Sequence, residues 1–165
     1  MSTTHAGTRL DYAEHAPELV KKLQALSMAT THSDRLESKL SLLVDIRASQ
    51  INGCAFCVDM HVKEAKLHSE RELRLHHVAI WRESPLFDAR ERAALALTEA
   101  LTRMAPTGIS DELYAELRAQ FSDAELSTLA FRVANINAWN RLNVAFRTPP
   151  GIRDKAFGLD KAGLA

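Results

Sequence analysis

The stretch SDAELSTLAFRVANINAWNRLNVAF, Ser122 to Phe146, opens on a capping box: the Ser122 side chain and Glu125 satisfy the orphan amides of a first helical turn. Neither proline nor glycine interrupts the residues after it, and nothing in them alternates as a half-buried strand does. The stretch reads as one long helix. Similar starts recur upstream. Asp88 with Glu91 opens ARERAALALTEALTRM, Ser110 opens DELYAELRAQF, and Ser69 with Glu72 opens ERELRLHHVAIW. Pro17 suits the first turn of PELVKKLQALSM, where Leu19, Leu23 and Leu26 recur at three- and four-residue steps. Leu36, Leu40, Leu43 and Ile46 form a stripe along SDRLESKLSLLVDIRASQI. Pro85, Pro106–Thr107–Gly108 and Pro149–Pro150–Gly151 mark the breaks. The expectation is an all-α protein of about six or seven helices, one domain over residues 1–165.

The bounds agree. A chain of 165 residues is long enough to bury a core without staples, and 21 Lys+Arg against 21 Asp+Glu point to no polyanionic partner. No apolar run of about 18 residues suggests a membrane span. The opening MSTTHAGTRLDYAEHAP lacks a basic region followed by an apolar stretch, and two cysteines are too few for an extracellular disulfide framework. A cytoplasmic protein is expected.

Both cysteines lie in SQINGCAFCVDMHVKEA, Ser49 to Ala65. Gly53 stops one helix and Cys54 begins the next, CAFCVDMHVKEAKLH. At about 100° per residue, Cys57 lies about 60° and His61 about 20° from Cys54, so the three share a face. Free amides and the macrodipole at a helix start favour an anionic sulfur, and a lowered pKa makes a cysteine nucleophilic near neutral pH. His61 can exchange a proton with Cys57 one turn earlier. Two thiols at this spacing can also close into a disulfide that an external dithiol resets. The residues alone leave other readings open: two buried inert cysteines, a zinc site with three of its ligands present, or a hydrolase nucleophile.

Context narrows these. RASQINGCAFCVDMHVKEA, then AIWRESPLFDARERAALALTEALT, then ANINAWNRLNVAFR resemble the AhpD-like alkylhydroperoxidases of the carboxymuconolactone decarboxylase superfamily, from about Leu36 to Arg147. The resemblance implies an all-helical fold assembling as trimers or hexamers, and a redox-active pair with an associated histidine. It makes Cys57 the peroxidatic thiol, Cys54 the resolving, partner-facing thiol and His61 the proton relay. Helix-terminus position alone favours Cys54, the site expected to be more exposed, as the nucleophile toward a disulfide partner. One departure stands out. The family's relay motif is Glu-x11-Cys-x2-Cys-x3-His, and its glutamate position holds Leu42 here. Asp45, one turn along, and Glu64, three residues after His61, are the candidates to replace it.

The resemblance implies that the helix carrying Asn137, Asn140 and Arg141 packs near the cysteine helix, which makes its asparagines candidates to line the pocket, against a plainer role in helix and subunit packing. Trp81 and Arg82 read as core and turn residues. His76 and His77 point about 100° apart and so do not suit one ion; His5, His15, His32 and His68 carry no usable pattern. AALALTEAL and LSTLAFRVANI are apolar beyond one narrow stripe, which neighbouring subunits would cover.

The leading expectation is an antioxidant enzyme that reduces hydroperoxides through a redox-active disulfide, its electrons supplied by a dithiol or lipoyl-bearing protein. No haem, flavin or nucleotide motif is present, so no cofactor is expected. The alternatives are a thiol–disulfide oxidoreductase that has given up the peroxide, decarboxylation of a carboxymuconolactone-type substrate, and a redox-sensing assembly protein.

Overall fold

The computed structural model describes residues 7–164, so His5 lies outside the described residues. Among these there is no strand. The helices are α1 (Tyr12–His15), α2 (Pro17–Thr31), α3 (Ser38–Ile51), α4 (Ala55–Leu67), α5 (Glu72–His77), α6 (Ala89–Arg103), α7 (Asp111–Gln120), α8 (Asp123–Phe146) and α9 (Asp154–Phe157), with short 3-10 turns at Val78–Ile80 and Leu159–Ala162. The seven expected segments are α2 to α8. The two extra helices have four residues each, too short to carry a periodic signal.

The capping boxes at Asp88/Glu91 and Ser122/Glu125 form in full, and Ser110 caps α7 through the Leu113 amide. The one expected at Ser69 does not form. Ser69 takes a left-handed φ of 57°, and its N–H donates to the Lys66 carbonyl, so it closes α4 instead of opening α5. Glu72 pairs with Lys66, and α5 starts later and ends earlier than the pattern predicts. Helix α3 likewise begins at Ser38, five residues inside its predicted start.

Helix α3 is the centre of the molecule. It packs on α4, α6 and α8, and Leu43, Val44 and Ile46 are wholly buried. One side, Leu40 and Val44 joined by Leu36 from just before the helix, meets Ala94 and Leu97 of α6, Leu117 of α7, and Leu129 and Val133 of α8. The other, with Leu42, Leu43 and Ile46, meets Ala65, Leu75, Trp81 and Phe87. A helix apolar around most of its circumference must be surrounded in this way. Each such leucine contributes about 1.5–3 kcal/mol of transfer free energy. Helix α6 packs on α3, α7 and α8 of its own chain. Phe131 on α8 remains exposed.

Trp81 is a core residue as expected, and it also donates its indole N–H to Glu99 at 2.9 Å. Arg82 lies over its ring. Glu99 is buried on α6 and bound as well by Arg47, Arg82 and Arg103. Burial alone would push its carboxyl up. The hydrogen bonds from Arg82, Trp81 and Arg47 and the Arg47 charge outweigh that and hold it at about 2.

Candidate active site

The turn between α3 and α4 positions the cysteines. Gly53 at φ +64° supplies a left-handed conformation that a side chain would strain, and the Cys54 N–H returns to the Ser49 carbonyl at 3.0 Å. Cys54 is thereby the N-cap of α4, its sulfur accepting from the Cys57 amide at 3.3 Å. The two cysteines form a disulfide, with Cα atoms 5.3 Å apart. Both are only 1% exposed, which corrects the expectation that Cys54 is the more open of the two. Packing of α4 on α3 draws the N-cap side chain inward.

The two sulfurs differ in what they face. A cavity of about 820 Å3 reaches Cys57, His61, Glu64 and Asp45 but not Cys54. Val20, Met28, Phe56, Met60, Trp139 and Phe157 supply much of its apolar wall. From α8 come Arg132, Asn135, Trp139 and Asn143, steps of three and four that put them on one face. Asn137 and Asn140 lie off that stripe. Their side chains accept from Asn52 at 2.9 and 2.8 Å, Asn140 donates to Ser49, and Arg141 bonds back onto Asn137. These three residues serve helix packing, the plainer of the two readings.

His61 sits one turn beyond Cys57 and is buried. Its Nδ1 is 3.1 Å from Glu64 Oε2, and its Nε2 is buried with no hydrogen-bond partner among the described residues. With Glu64 as acceptor the Nδ1 carries the proton and Nε2 keeps a free lone pair. Burial pulls the Glu64 carboxyl up, but the His61 hydrogen bond and the charges of His61, Arg132 and His68 bring it net below the usual carboxylate range. Asp45 stands farther off, Oδ2 3.8 Å from the same Nδ1, and is held by Arg132. Leu42 is packed into the core, as a leucine in that register must be.

The group that sequence reasoning missed is Asn143. Its Nδ2 donates to Cys57 Sγ at 3.6 Å, and its Oδ1 accepts from the Tyr12 hydroxyl at 3.0 Å. An asparagine near the end of an amphipathic helix gives no warning of this, beyond its place on the face it shares with Arg132. His77 is bonded to Ser84, His68 lines the cavity, and among the described residues no cluster of three or more His, Cys, Asp or Glu side chains is arranged to hold a metal ion.

Comparison with known proteins matches residues 17–100 to the carboxymuconolactone decarboxylase family. The chain is 35% identical over 137 residues to the uncharacterized protein YdfG of Bacillus subtilis, covering 83% of this chain and 92% of that one. A solved structure from Agrobacterium tumefaciens, ATU0492, a protein of unknown function offered as a candidate antioxidant defence protein AhpD, superimposes with a TM-score of 0.84 at 42% identity, covering 88% of this chain and 99% of that one. The debrominase Bmp8, solved as a point variant in complex with 2,3,4-tribromopyrrole, shares the fold at a TM-score of 0.76 and 17% identity, over 98% of this chain and all of that one.

Proposed function

The chain belongs to the carboxymuconolactone decarboxylase family as an AhpD-like member, and from that footing we propose that it is a thiol-dependent antioxidant enzyme reducing organic hydroperoxides through Cys54, Cys57 and His61. The observation that carries the reading is one cavity, large and mostly apolar, that meets one sulfur of the pair beside a carboxylate-bound imidazole. A space of about 820 Å3 far exceeds what hydrogen peroxide needs and suits an organic body.

In the reduced enzyme His61 Nε2 takes the Cys57 proton, with Glu64 balancing the imidazolium. The thiolate attacks the terminal peroxide oxygen: an S–O bond forms, the O–O bond breaks, and the alkoxide leaves with the proton from His61. The Cys54 thiol then displaces hydroxide from the Cys57 sulfenic acid, closing the disulfide and releasing water. An external dithiol, a lipoyl group in the pattern the resemblance implies, returns two electrons and two protons. Since the cavity meets Cys57, that sulfur is the one an incoming thiolate attacks, and Cys54 leaves. This exchanges the partner-facing role expected of Cys54. The enzyme is cytoplasmic and homo-oligomeric in this reading; Leu19, Met104 and Phe131 are more than half exposed, apolar surface of the kind a subunit contact covers. No helix among the described residues is long and apolar enough to cross a membrane.

The test is consumption of cumene hydroperoxide by the protein with dihydrolipoamide, beside Cys57→Ser. Turnover lost in Cys57→Ser supports the peroxidase. A second reading, a thiol–disulfide oxidoreductase, is favoured by Leu42 in place of the relay glutamate. A disulfide that dihydrolipoamide cycles readily while the hydroperoxide persists would select it.

A further inference from the structure

The cavity at Cys57 is walled by two kinds of residue. His61 and Glu64 come from its own helix, inside the segment matched to the family. The other, Asn143, is on α8, and behind it stands Tyr12 on α1; both lie outside residues 17–100.

The Asn143 amide is fully committed. One hydrogen of Nδ2 goes to the Trp139 carbonyl at 3.0 Å and the other to Cys57 Sγ at 3.6 Å, while Oδ1 accepts from the Tyr12 hydroxyl at 3.0 Å. A flipped amide would set its oxygen against both the carbonyl and the sulfur, so two separate contacts decide which end meets Cys57. The residue is 4% exposed, which keeps water from competing. Tyr12 is itself held in place. Asp11 caps α1, the Arg9 N–H donates to the Phe146 carbonyl at 2.9 Å, and the Tyr12 ring lies 5.7 Å from that of Phe146. Burial, together with the Asp11 charge, raises the phenol above its usual range despite Arg153, so it stays a donor near neutral pH.

A sulfur in a disulfide is a weak acceptor, whereas a thiolate is a strong one. A fixed N–H aimed at Cys57 therefore gains most of its strength when the disulfide is reduced and Cys57 ionises. We propose that Asn143 stabilises the Cys57 thiolate and that Tyr12 is the residue that positions it, so that α1 takes part in the redox centre. The proposal rests on reading Cys54–Cys57 as a working redox pair. It makes the Cys57 thiol more acidic and the disulfide more oxidising than the other groups would. Those groups are His61 and Glu64 on α4 with His68 just after it, Asp45 on α3, Arg132 on α8 and Arg153 beyond it, all on the same cavity. They are common to every variant compared.

The experiment isolates Cys57 in a Cys54→Ser background and follows iodoacetamide alkylation across pH. Asn143→Leu is expected to raise the Cys57 pKa and slow alkylation below that pKa about tenfold, and Tyr12→Phe about threefold. Tyr12→Phe keeps the ring against Phe146, so circular dichroism should match the parent. With both cysteines present, the Tyr12→Phe disulfide should equilibrate with glutathione at a lower potential than the parent. An unchanged pKa in both variants overturns the proposal, and a shift in Asn143→Leu alone overturns the part given to Tyr12. Hydroperoxide turnover by the two-cysteine proteins separates this from the peroxidase reading. Shifted pKa values without turnover sink the peroxidase alone, while full turnover with unshifted values sinks this proposal alone.

Discussion

Arg132 grips Asp45 with two nitrogens, Nε to Oδ1 at 3.2 Å and Nη2 to Oδ2 at 2.5 Å, both residues being buried. This ion pair bears on which carboxylate stands in for the glutamate absent at Leu42. Asp45 is close enough to sense His61, yet protonating it would break a bidentate pair and leave a guanidinium buried alone. Glu64 is nearer to Nδ1 and carries no such commitment.

Glu64→Gln is therefore expected to lower hydroperoxide turnover, on the order of tenfold, while leaving the fold intact. Asp45→Asn acts first on stability, costing about 3 kcal/mol by urea denaturation, because Arg132 loses its counter-charge. Steady-state assays on both variants check this. A folded Asp45→Asn protein without turnover, beside an active Glu64→Gln, would reverse the assignment.

The Glu99 cluster predicts an acid limb. Its folded pKa of about 2 lies below the ordinary 4.5, so its contribution is fully present above pH 4.5 and is lost as pH falls toward 2. The linked free energy reaches at most roughly 3 kcal/mol, less what solvent screens at the half-exposed Arg82 and Arg103. Urea melts between pH 5 and pH 2.5 (about the range set by that shift) should show stability falling. In Glu99→Gln the fall should be shallower, though not flat, because Glu64 and Glu125 are depressed as well.

Met60 lines the cavity beside Cys57. Met60→Trp is expected to reduce kcat/KM for cumene hydroperoxide on the order of tenfold while sparing hydrogen peroxide. Equal loss on both would mean that the organic body binds elsewhere.

Lys63 is buried on α4 with Nζ 2.9 Å from Asp59 and 2.7 Å from Asp154, and Asp59 also accepts from the Gly151 amide. This ties the segment carrying α9 to the site. In Lys63→Met, amides over residues 151–162 should exchange roughly tenfold faster. Unchanged protection would show that the apolar contacts of Leu159 hold the segment without the ion pairs.

The seven longer helices were legible because their signals are local. A cap reaches three residues, a stripe repeats every three or four, and Ser122, Asp88 and Ser110 needed nothing distant to act. Ser69 misled for the complementary reason. It has the right neighbour in Glu72, but α4 needed a residue to end on, and the Lys66–Glu72 pair took the glutamate. The asparagines of α8 show the same limit. Their types and spacing were plain, yet which of Asn135, Asn137, Asn140 and Asn143 faces the cavity depends on how α8 is rotated against α3 and α4.

That the chain is helical, that Cys54 stands at the start of a helix, and that Cys57 and His61 follow one turn apart on a shared face of it, is written in the order of the residues. Those facts follow from helix geometry over a single turn or two. Three others came from packing in space: Cys57 meets the cavity while Cys54 does not, Arg132 claims Asp45 and leaves His61 to Glu64, and Tyr12 reaches the redox pair through Asn143. These contacts join residues dozens to more than a hundred positions apart, or hang on the angle at which one helix lies on another. Packing of the whole core sets that angle, and no spacing along the chain encodes it.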